Sequence, residues 1–598
     1  MNEAHIVNPE GLLPRGMSDF AKMVQQKRCF VDKSLLIQEI LYCDDDVVLL
    51  TRPRRFGKTI NLSMLRYFFE TLSHDSTDST GQSRLFDGLL IAQDQQALQH
   101  QGKYPVISLT FKDIKATSWP EAYKDLCSVI GKEIDRHPEC KQFDIAGFGD
   151  EERRQWTRIL SPDQAEQSDW KNALQLLCKL LTLHHKQSVW LCLDEYDTPI
   201  HQAYMQSQQD KSDIRNQGSY YSQMITFMRA LFGRALKGND PFLHKAVITG
   251  ILRVAKEDIF SDLNNLGVYG VMDDRFARFF GFTPAEVQQL LQQRQLQHTL
   301  TAVSQWYDGY LFGEDRPVTI YNPWSVVSYV ANPTRHPKEY WVNTGSTGLI
   351  EHLVDKSSTW DKQAIETLLR GQTIERDVAD NLPLRELQKF GEGLWSIVLT
   401  SGYVTAVDTI QGVIGKQATL RVPNQEVHIA FQRMVKSWLK EIPSNALPEM
   451  LQALLAGNTN TFSQKLNTLL LCNLSFYDTA ASENSYHLFI LGLLSHLSGN
   501  YKVRSNRESG LGRPDLLLIP MVQDARLPGI VMEFKIADAE DQLQQAAHTA
   551  LQQIEQKKYA AEFQDYPPPR IIRLGIAFCN KKAAVASACK TSNSNPKT

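Results

Sequence analysis

A phosphate-loop pattern near the N-terminus constrains the fold of this chain more than any other feature. The apolar run at 47–50 predicts a buried strand, and an apolar face over 60–69 predicts a helix. The segment between them ends in Gly57-Lys58-Thr59. A loop between a strand and a helix N-terminus binds phosphate through its backbone N–H groups. The layout therefore predicts a nucleotide-binding loop.

We expect Lys58 to reach the β- and γ-phosphates and the Thr59 hydroxyl to bind Mg²⁺. The full pattern asks for Gly six residues before the lysine, where this chain has Arg52. Because a short Gly-Lys-Thr match also arises by chance, a surface turn is the alternative interpretation. The residues expected to contact the phosphates are Arg55, Phe56, Gly57, Lys58, Thr59 and Ile60.

Two later strands end in polar residues that suit a nucleotide site. The apolar run 188–193 leads into Asp194 and Glu195. Asp194 is predicted to hold Mg²⁺, and Glu195 to polarise the water that attacks the γ-phosphate. The next apolar run ends at Thr249, and Arg253 follows it; both are candidates for sensing the γ-phosphate at the carboxyl edge of a sheet. Arg253 could equally be a surface cation. The predicted cofactors are ATP and Mg²⁺.

The length of 598 residues is too great for one hydrophobic core and predicts several domains. Alternating strands and helices from 47 to 251 predict an α/β domain with a mostly parallel sheet. Composition changes suggest domain limits, which give a nucleotide-binding domain at 1–280, a helical middle domain at 281–445 and a third domain at 446–582. The Lys/Ala/Ser-rich tail at 583–598 is predicted to be disordered.

Bulk composition limits the cellular context. The net charge of −3 gives no general attraction to nucleic acid, so any nucleic-acid site must be a local patch. The nine cysteines form no CxxC pair, which argues against a zinc site and a disulfide framework. No run of 18 apolar residues is present, so that we expect no membrane span. A cytoplasmic location is predicted.

The C-terminal region carries a second constellation. A hairpin between the apolar runs 516–519 and 530–532 would bring Asp515 beside Glu533, with Lys535 on the same strand face as Glu533. Two converging carboxylates suit Mg²⁺, which activates water toward a phosphodiester. The pattern predicts a metal-dependent nuclease; a solvated hairpin edge is the alternative. Neighbouring arginines that suit a phosphate backbone are Arg504, Arg507 and Arg513.

Motifs along nearly the whole chain resemble the bacterial AAA-ATPase-like family whose members end in a PD-(D/E)XK nuclease-superfamily domain. The resemblance implies that Arg52 belongs to the family's own form of the loop. It also implies a restriction-endonuclease-like α/β fold at the C-terminus, with Asp515, Glu533 and Lys535 as the nuclease triad and Glu483 as a fourth member. The matching stretches are 30–34, 51–59, 193–200, 249–256, 306–310, 321–324 and 505–515.

The leading hypothesis is an ATP-driven switch coupled to a Mg²⁺-dependent nuclease-like domain that acts on DNA or RNA. The alternative is a signalling or scaffolding ATPase whose C-terminal domain binds nucleic acid without cleaving it. A nucleotide kinase is disfavoured because no acceptor-binding lid can be identified. Oligomerisation cannot be predicted from these motifs.

Overall fold

The computed structural model describes residues 5–71, 84–141, 147–210, 216, 218–252, 259–260, 263–334, 337–341, 348–379, 391–412, 416–437, 445–473, 483–494, 497, 500–505, 514–521, 527–557, 559, 563 and 570–591. The chain forms two compact units. The first comprises Met1–Leu353 and Glu375–Glu426, and the second Val354–Ile374 and Val427–Thr598.

A five-stranded parallel sheet forms the centre of the first unit, after a short antiparallel pair of β1 (Ile6–Val7) and β2 (Phe30–Val31). Its strands are β3 (Val47–Thr51), β4 (Val106–Thr110), β5 (Val189–Asp194), β6 (Leu243–Gly250) and β7 (Leu266–Tyr269). They lie in the order β4-β5-β6-β3-β7, and every pair is parallel. The predicted parallel α/β sheet is confirmed, and β6 separates the phosphate-loop strand β3 from the acidic strand β5.

Strands β3 and β5 are buried at every residue, as expected for parallel strands with helices packed against the sheet. The helix that follows β3 begins at Lys58 and buries Leu62, Leu65 and Phe69, in line with the predicted apolar face. The helices up to the end of β6 are Phe20–Gln25, Leu35–Leu41, Lys58–Phe69, Gln95–Leu98, Trp119–Asp135, Asp150–Leu160, Gln167–His185, Thr198–Gln209 and Tyr220–Leu236.

Helices, an antiparallel strand pair and a small three-stranded sheet follow in the middle region. Thr283 caps the first helix: its hydroxyl accepts from the Glu286 N–H at 3.4 Å, and Pro284 takes the first turn. The helices are Pro284–Gln293, Leu300–Tyr307, Pro323–Ala331, Gly348–Lys356, Gly391–Thr400 and Gln425–Ser437. The sheets pair β8 (Tyr310–Phe312) with β9 (Val318–Ile320), and order β10 (Ile374–Val378), β11 (Thr405–Gln411) and β12 (Lys416–Arg421) as β10-β12-β11.

The second unit contains a mixed five-stranded sheet. Its strands, in spatial as well as chain order, are β13 (Tyr501–Ser505), β14 (Leu516–Pro520), β15 (Gly529–Ile536), β16 (Arg570–Cys579) and β17 (Lys582–Thr591). Only β15 and β16 pair in parallel among these neighbours. The helices are Thr359–Leu369, Ala446–Ala456, Thr459–Asn473, Glu483–Leu494 and Leu543–Gln556.

The predicted disorder of 583–598 is wrong over 583–591, because β17 pairs along the whole of β16. Ala584 and Ala586 alternate onto the buried face and pack with Ala547 of the helix Leu543–Gln556. Small residues at period two were hidden by the polar composition of the segment. Residues 592–598 lie outside the described part of the chain. Within the described residues, none of the helices combines the length and the apolar character that crossing a bilayer requires.

Candidate functional site

The carboxyl ends of β3, β5 and β6 meet at one edge of the sheet. Leu50 of β3 is level with Thr249 of β6, and Leu193 of β5 is level with Ile248. The register therefore sets Asp194 beside Thr249. The Thr249 hydroxyl donates to Asp194 Oδ1 at 2.6 Å, and both residues are buried. Strand order thus brings together polar groups that lie 55 residues apart in the chain.

The phosphate loop closes onto this edge. Arg55 has a φ of 66° and Gly57 a φ of 90°, and the helix begins at Lys58. A positive φ is easy for glycine and is uncommon for arginine. The Lys58 ammonium donates to the backbone carbonyls of Arg52 and Pro53, each at 2.9 Å. The ammonium has three N–H bonds, so two of them hold the loop itself in shape.

Thr59 joins the loop to the acidic strand end. Its hydroxyl donates to Asp194 Oδ2 at 2.8 Å. Asp194 therefore accepts one hydrogen bond from the loop hydroxyl of Thr59 and another, on its second oxygen, from the Thr249 hydroxyl. The structure brings Lys58, Thr59 and Asp194 together at the predicted edge.

The turn after β5 holds Glu195 in an unusual backbone conformation. Its φ of 50° lies in the left-handed region, which non-glycine residues adopt rarely and at some cost in strain. The Thr198 hydroxyl donates to Glu195 Oε2 at 3.3 Å. Burial raises the pKa of Glu195, and the attraction of the Lys58 ammonium opposes that rise. A carboxylate with a raised pKa is a stronger base toward water.

Charges at this edge balance each other in part. Burial lowers the pKa of Lys58, whereas Glu195, Asp197 and Asp194 favour its charged form. The neighbouring carboxylates favour the charged ammonium, which is the form that attracts phosphate oxygens.

Asp197 is a further residue of this edge, and no sequence motif indicated a role for it. Its Oδ2 accepts from the N–H groups of Ile251 and Leu252 at 2.9 and 2.8 Å. The Tyr196 hydroxyl donates to the Leu252 carbonyl at 2.9 Å. The turn therefore fixes the chain that leaves β6 just beyond Thr249. The sequence shows only an acid three residues after Asp194, which does not identify the N–H groups that it binds. Arg253, the other candidate γ-phosphate sensor, lies outside the described residues.

Arg52 is fully buried at the position where the common pattern has glycine. Its Nη1 donates to the carbonyls of Tyr269 and Gly270 at 2.9 and 2.6 Å, at the end of β7. The guanidinium also lies over the rings of Phe280 and Phe312, with centroid distances of 5.2 and 5.4 Å. The side chain is thus accommodated by packing against the end of the sheet.

The groups at this edge suit a magnesium-bound triphosphate. A threonine hydroxyl and a carboxylate are the hard oxygen ligands that Mg²⁺ prefers. The 12-residue helix Lys58–Phe69 directs its N-terminal N–H groups and partial positive charge at the loop. Thr59 and Asp194 are the residues suited to the metal, and the backbone of 55–60 to the phosphates.

A second site lies in the second unit, where β14 pairs antiparallel with β15. Leu516 is opposite Met532, so that one further step sets Asp515 opposite Glu533. Asp515 Oδ2 accepts from the Phe534 N–H at 2.7 Å. Glu533 and Lys535 alternate onto one face of β15, with Glu533 buried and Lys535 half-buried. The predicted hairpin is confirmed.

Burial raises the pKa of Asp515, and the Phe534 N–H, His487 and Lys535 oppose that rise. A His487 ring nitrogen lies 3.0 Å from the Asp515 carbonyl oxygen. His487 comes from the helix that begins at Glu483. The side chain of Glu483 is outside the described part of the chain, as are Arg507 and Arg513, whereas Arg504 lies on β13.

Gln553 is another residue of this site that no sequence motif indicated. Its amide hydrogen-bonds Glu533 Oε1 from the helix Leu543–Gln556. The helix approaches the sheet closely at Gly575, the neighbour of Glu533 on β16. Gln553 lies on the same helix face as the buried Ala550, three residues earlier, but this spacing does not identify Glu533 as its partner. Among the side chains that the structure describes, no group of three or more His, Cys, Asp or Glu residues could hold a metal ion.

Comparison with known proteins gives matches over both sites. Residues 14–260 match the family model described as predicted AAA-ATPase. Residues 481–588 match the model of the PD-(D/E)XK nuclease superfamily. A curated protein of Azotobacter chroococcum mcd 1, described as "Uncharacterized protein in vnfD 5'region", is 23% identical over 587 residues, which cover 96% of this chain and 97% of that protein. No solved structure matches the chain.

The family matches contain the residues that the motifs singled out. The loop at 52–59 and the acidic turn at 194–197 fall within the first match, and Asp515, Glu533 and Lys535 fall within the second. The chain therefore contains one region similar to the predicted AAA-ATPase family and another similar to the PD-(D/E)XK nuclease superfamily.

Proposed function

We propose that the first unit binds and hydrolyses ATP at the edge formed by Lys58, Thr59 and Asp194. The observation that carries this proposal is the pair of hydroxyl contacts to Asp194, at 2.8 Å from Thr59 and 2.6 Å from Thr249. They join the phosphate loop, the acidic strand and the intervening strand at one point. We assign nucleotide binding to 1–280.

Each residue has a chemical role in this proposal. Lys58 offers its remaining N–H to the phosphates, and the loop backbone supplies further donors. Glu195 accepts a proton from water and orients it toward the γ-phosphate, while Thr249 reports the presence of that phosphate. Mg²⁺, when bound at Thr59 and Asp194, offsets the negative charge of the phosphate oxygens.

The test compares Lys58→Ala with Lys112→Ala, a substitution of an exposed lysine. Binding of Mg²⁺-ATP to the full chain is measured by calorimetry, and phosphate release by a colorimetric assay. We expect the Lys58 variant to lose at least tenfold in affinity and the Lys112 variant to match the wild type. A Glu195→Gln variant should bind ATP and release no phosphate. Equal affinity in the wild type and the Lys58 variant would refute the assignment.

We further propose that the second unit cleaves nucleic acid with a divalent metal. Asp515 and Glu533 would hold the metal, and Lys535 would orient water or neutralise the phosphate. Glu483 is proposed as a fourth member. The antiparallel register that faces Asp515 with Glu533 supports this proposal.

Single- and double-stranded DNA and RNA are incubated with the full chain and Mg²⁺ or Mn²⁺, with and without ATP. We expect cleavage that Asp515→Asn abolishes and that the exposed-site control Asp541→Asn retains. Cleavage at the wild-type rate by the Asp515 variant would defeat the proposed site. A rate that changes with ATP would support coupling between the two activities.

The second candidate is an ATPase whose C-terminal domain binds nucleic acid without cutting it. The specific observation in its favour is that Glu533 already engages the Gln553 amide and Asp515 the Phe534 N–H. A carboxylate engaged by protein donors has fewer lone pairs for a metal. Retarded migration of a nucleic acid that stays intact with either metal would favour this function over the nuclease.

A further inference from the structure

The outer rim of the phosphate loop is covered by residues from beyond the sheet. The Phe56 ring lies 5.0 Å from the Tyr310 ring centroid and is completely buried. The Arg55 guanidinium stacks 4.5 Å above the Trp324 ring. A methyl group on Gly402 would come within 2.9 Å of the Pro53 Cβ. The loop is therefore packed against the middle region as well as against its own strand and helix.

Trp341 adds a hydrogen bond to this packing. Its indole N–H donates to the backbone carbonyl of Arg54 at 3.1 Å. The ring is 5% exposed and lies 5.0 Å from the ring of Tyr403. Lys58 holds the two preceding carbonyls of the loop. Three successive carbonyls, at 52, 53 and 54, are thus each fixed by a side-chain donor.

Holding a carbonyl also orients the next amide. In a planar trans peptide the C=O of one residue and the N–H of the following residue point in opposite directions. The bond from Trp341 to the Arg54 carbonyl therefore turns the Arg55 N–H away from the indole. Backbone N–H groups of this loop are the donors that a phosphate requires.

A buried carboxylate holds Trp341 in turn. Glu426 Oε1 accepts from the backbone N–H groups of Tyr340 and Trp341 at 2.5 and 2.7 Å, and Oε2 accepts from the Ser325 hydroxyl at 2.7 Å. Glu426 is completely buried. Burying a carboxyl group is unfavourable, and here that group orders the short segment that carries the indole. Apolar packing alone would not require an acid at this position.

We propose that Trp341 and Glu426, which lie outside the parallel sheet, are positioning residues that orient the loop amides of the nucleotide site toward phosphate. The inference rests on ATP binding at Lys58 and adds residues that lie 287 and 372 positions further along the chain from Arg54. Glu426 is also the last residue of the first unit, where the chain continues directly into the second.

The test uses Trp341→Phe in the full chain, because phenylalanine keeps most of the ring and removes the N–H. Trp156→Phe is the matched control: Trp156 is 1% exposed and its indole N–H donates to the Cys140 carbonyl at 3.3 Å. Hydrogen exchange of the amides at 54–57 is measured without nucleotide, and Mg²⁺-ATP affinity is measured by calorimetry.

We expect Trp341→Phe to speed exchange of the loop amides and to weaken Mg²⁺-ATP binding about threefold to tenfold, the equivalent of one neutral hydrogen bond. Trp156→Phe should change neither. Glu426→Ala should reproduce the Trp341 effect, and Glu426→Gln, which keeps an acceptor oxygen, should restore much of the affinity.

Unchanged loop exchange in the Trp341 variant would overturn the inference, as would unchanged ATP affinity in a wild-type background that binds ATP. If the wild-type chain binds no ATP, the proposed function is wrong. Hydrogen exchange of the loop amides would still show whether the Trp341 indole stabilises the loop. The two failures are therefore distinguishable.

Discussion

The buried carboxyl of Glu426 predicts a pH-dependent stability of the first unit. Burial raises the pKa of Glu426 from 4.5 to about 7, and the hydrogen bonds from Trp341, Ser325 and Tyr340 only partly oppose the rise. The proton is therefore held more tightly in the folded chain than in the unfolded one. Since one pH unit corresponds to about 1.4 kcal/mol, the raised pKa amounts to about 3 kcal/mol.

The sign follows from proton linkage. Between pH 4.5 and 7 the folded chain retains a proton that the unfolded chain has lost, so unfolding releases it and the free energy of unfolding falls as the pH rises. This contribution is fully present below pH 4.5 and lost above pH 7. The nearby titratable groups are Glu339 and the tyrosines 307, 310 and 340. Burial raises the pKa of each of these tyrosines, so they stay neutral in this window.

The measurement compares the wild type with Glu426→Gln, whose side chain does not titrate. Urea unfolding of the first unit is followed at pH 4.5 and pH 8 by hydrogen exchange of the amides of β3, which reports on this unit alone. As the pH rises from 4.5 to 8, the free energy of unfolding of the variant should increase by about 3 kcal/mol relative to that of the wild type. Glu10→Gln removes an exposed carboxyl as the control. The reasoning would be refuted if the difference in the free energy of unfolding between the wild type and the variant were the same at both pH values.

Three other substitutions test the packing around the sites. Gly250→Ala places a Cβ 2.6 Å from the Tyr196 ring; we expect about 1–3 kcal/mol of destabilisation and a weaker Mg²⁺-ATP affinity, measured by urea unfolding and calorimetry. Gly575→Ala places a Cβ 2.2 Å from a backbone oxygen of the helix packed on the sheet. Hydrogen exchange should therefore show that the second unit unfolds at a lower urea concentration than in the wild type, while the first unit is unchanged. Lys33→Met removes the ion-pair partner of Glu286, 2.6 Å away, and should lower the free energy of unfolding in urea by about 3 kcal/mol. The double variant with Glu286→Gln should lose less, because no unpaired buried carboxylate remains.

Much of the fold could be predicted because its signals are local. The buried strand before Lys58, the strand ending at Asp194 and the hairpin at Asp515 all appear as short apolar runs with polar ends. The prediction failed at 583–591, where Ala584 and Ala586 face a helix that is distant in sequence. A strand of small residues has little apolar character of its own, so it depends on pairing with β16 and on packing against the helix.

Part of each candidate site could not be predicted for a related reason. Asp197, Trp341, Glu426 and Gln553 act through hydrogen bonds to atoms that lie 20 to 287 residues away in the chain. No periodicity or motif specifies such partners, since they depend on how the elements pack. The roles proposed for Lys58, Glu195 and the carboxylates at 515 and 533 stay predictions until the substitutions above are measured.

The amino-acid sequence alone determined that this chain has a phosphate-type loop, an acidic strand end and a carboxylate hairpin. The steric preference of Gly57 and the spacing of apolar residues along strands and helices each involve only a few neighbouring residues. They can therefore be recognised in the sequence. The tertiary structure alone decided that β6 lies between β3 and β5, that both oxygens of Asp194 are engaged, and that an indole from the middle region holds the loop. Those outcomes depend on contacts between segments that lie up to hundreds of residues apart in the chain. Local sequence patterns are compatible with several arrangements of the same helices and strands, and close packing and hydrogen-bond geometry select one of them.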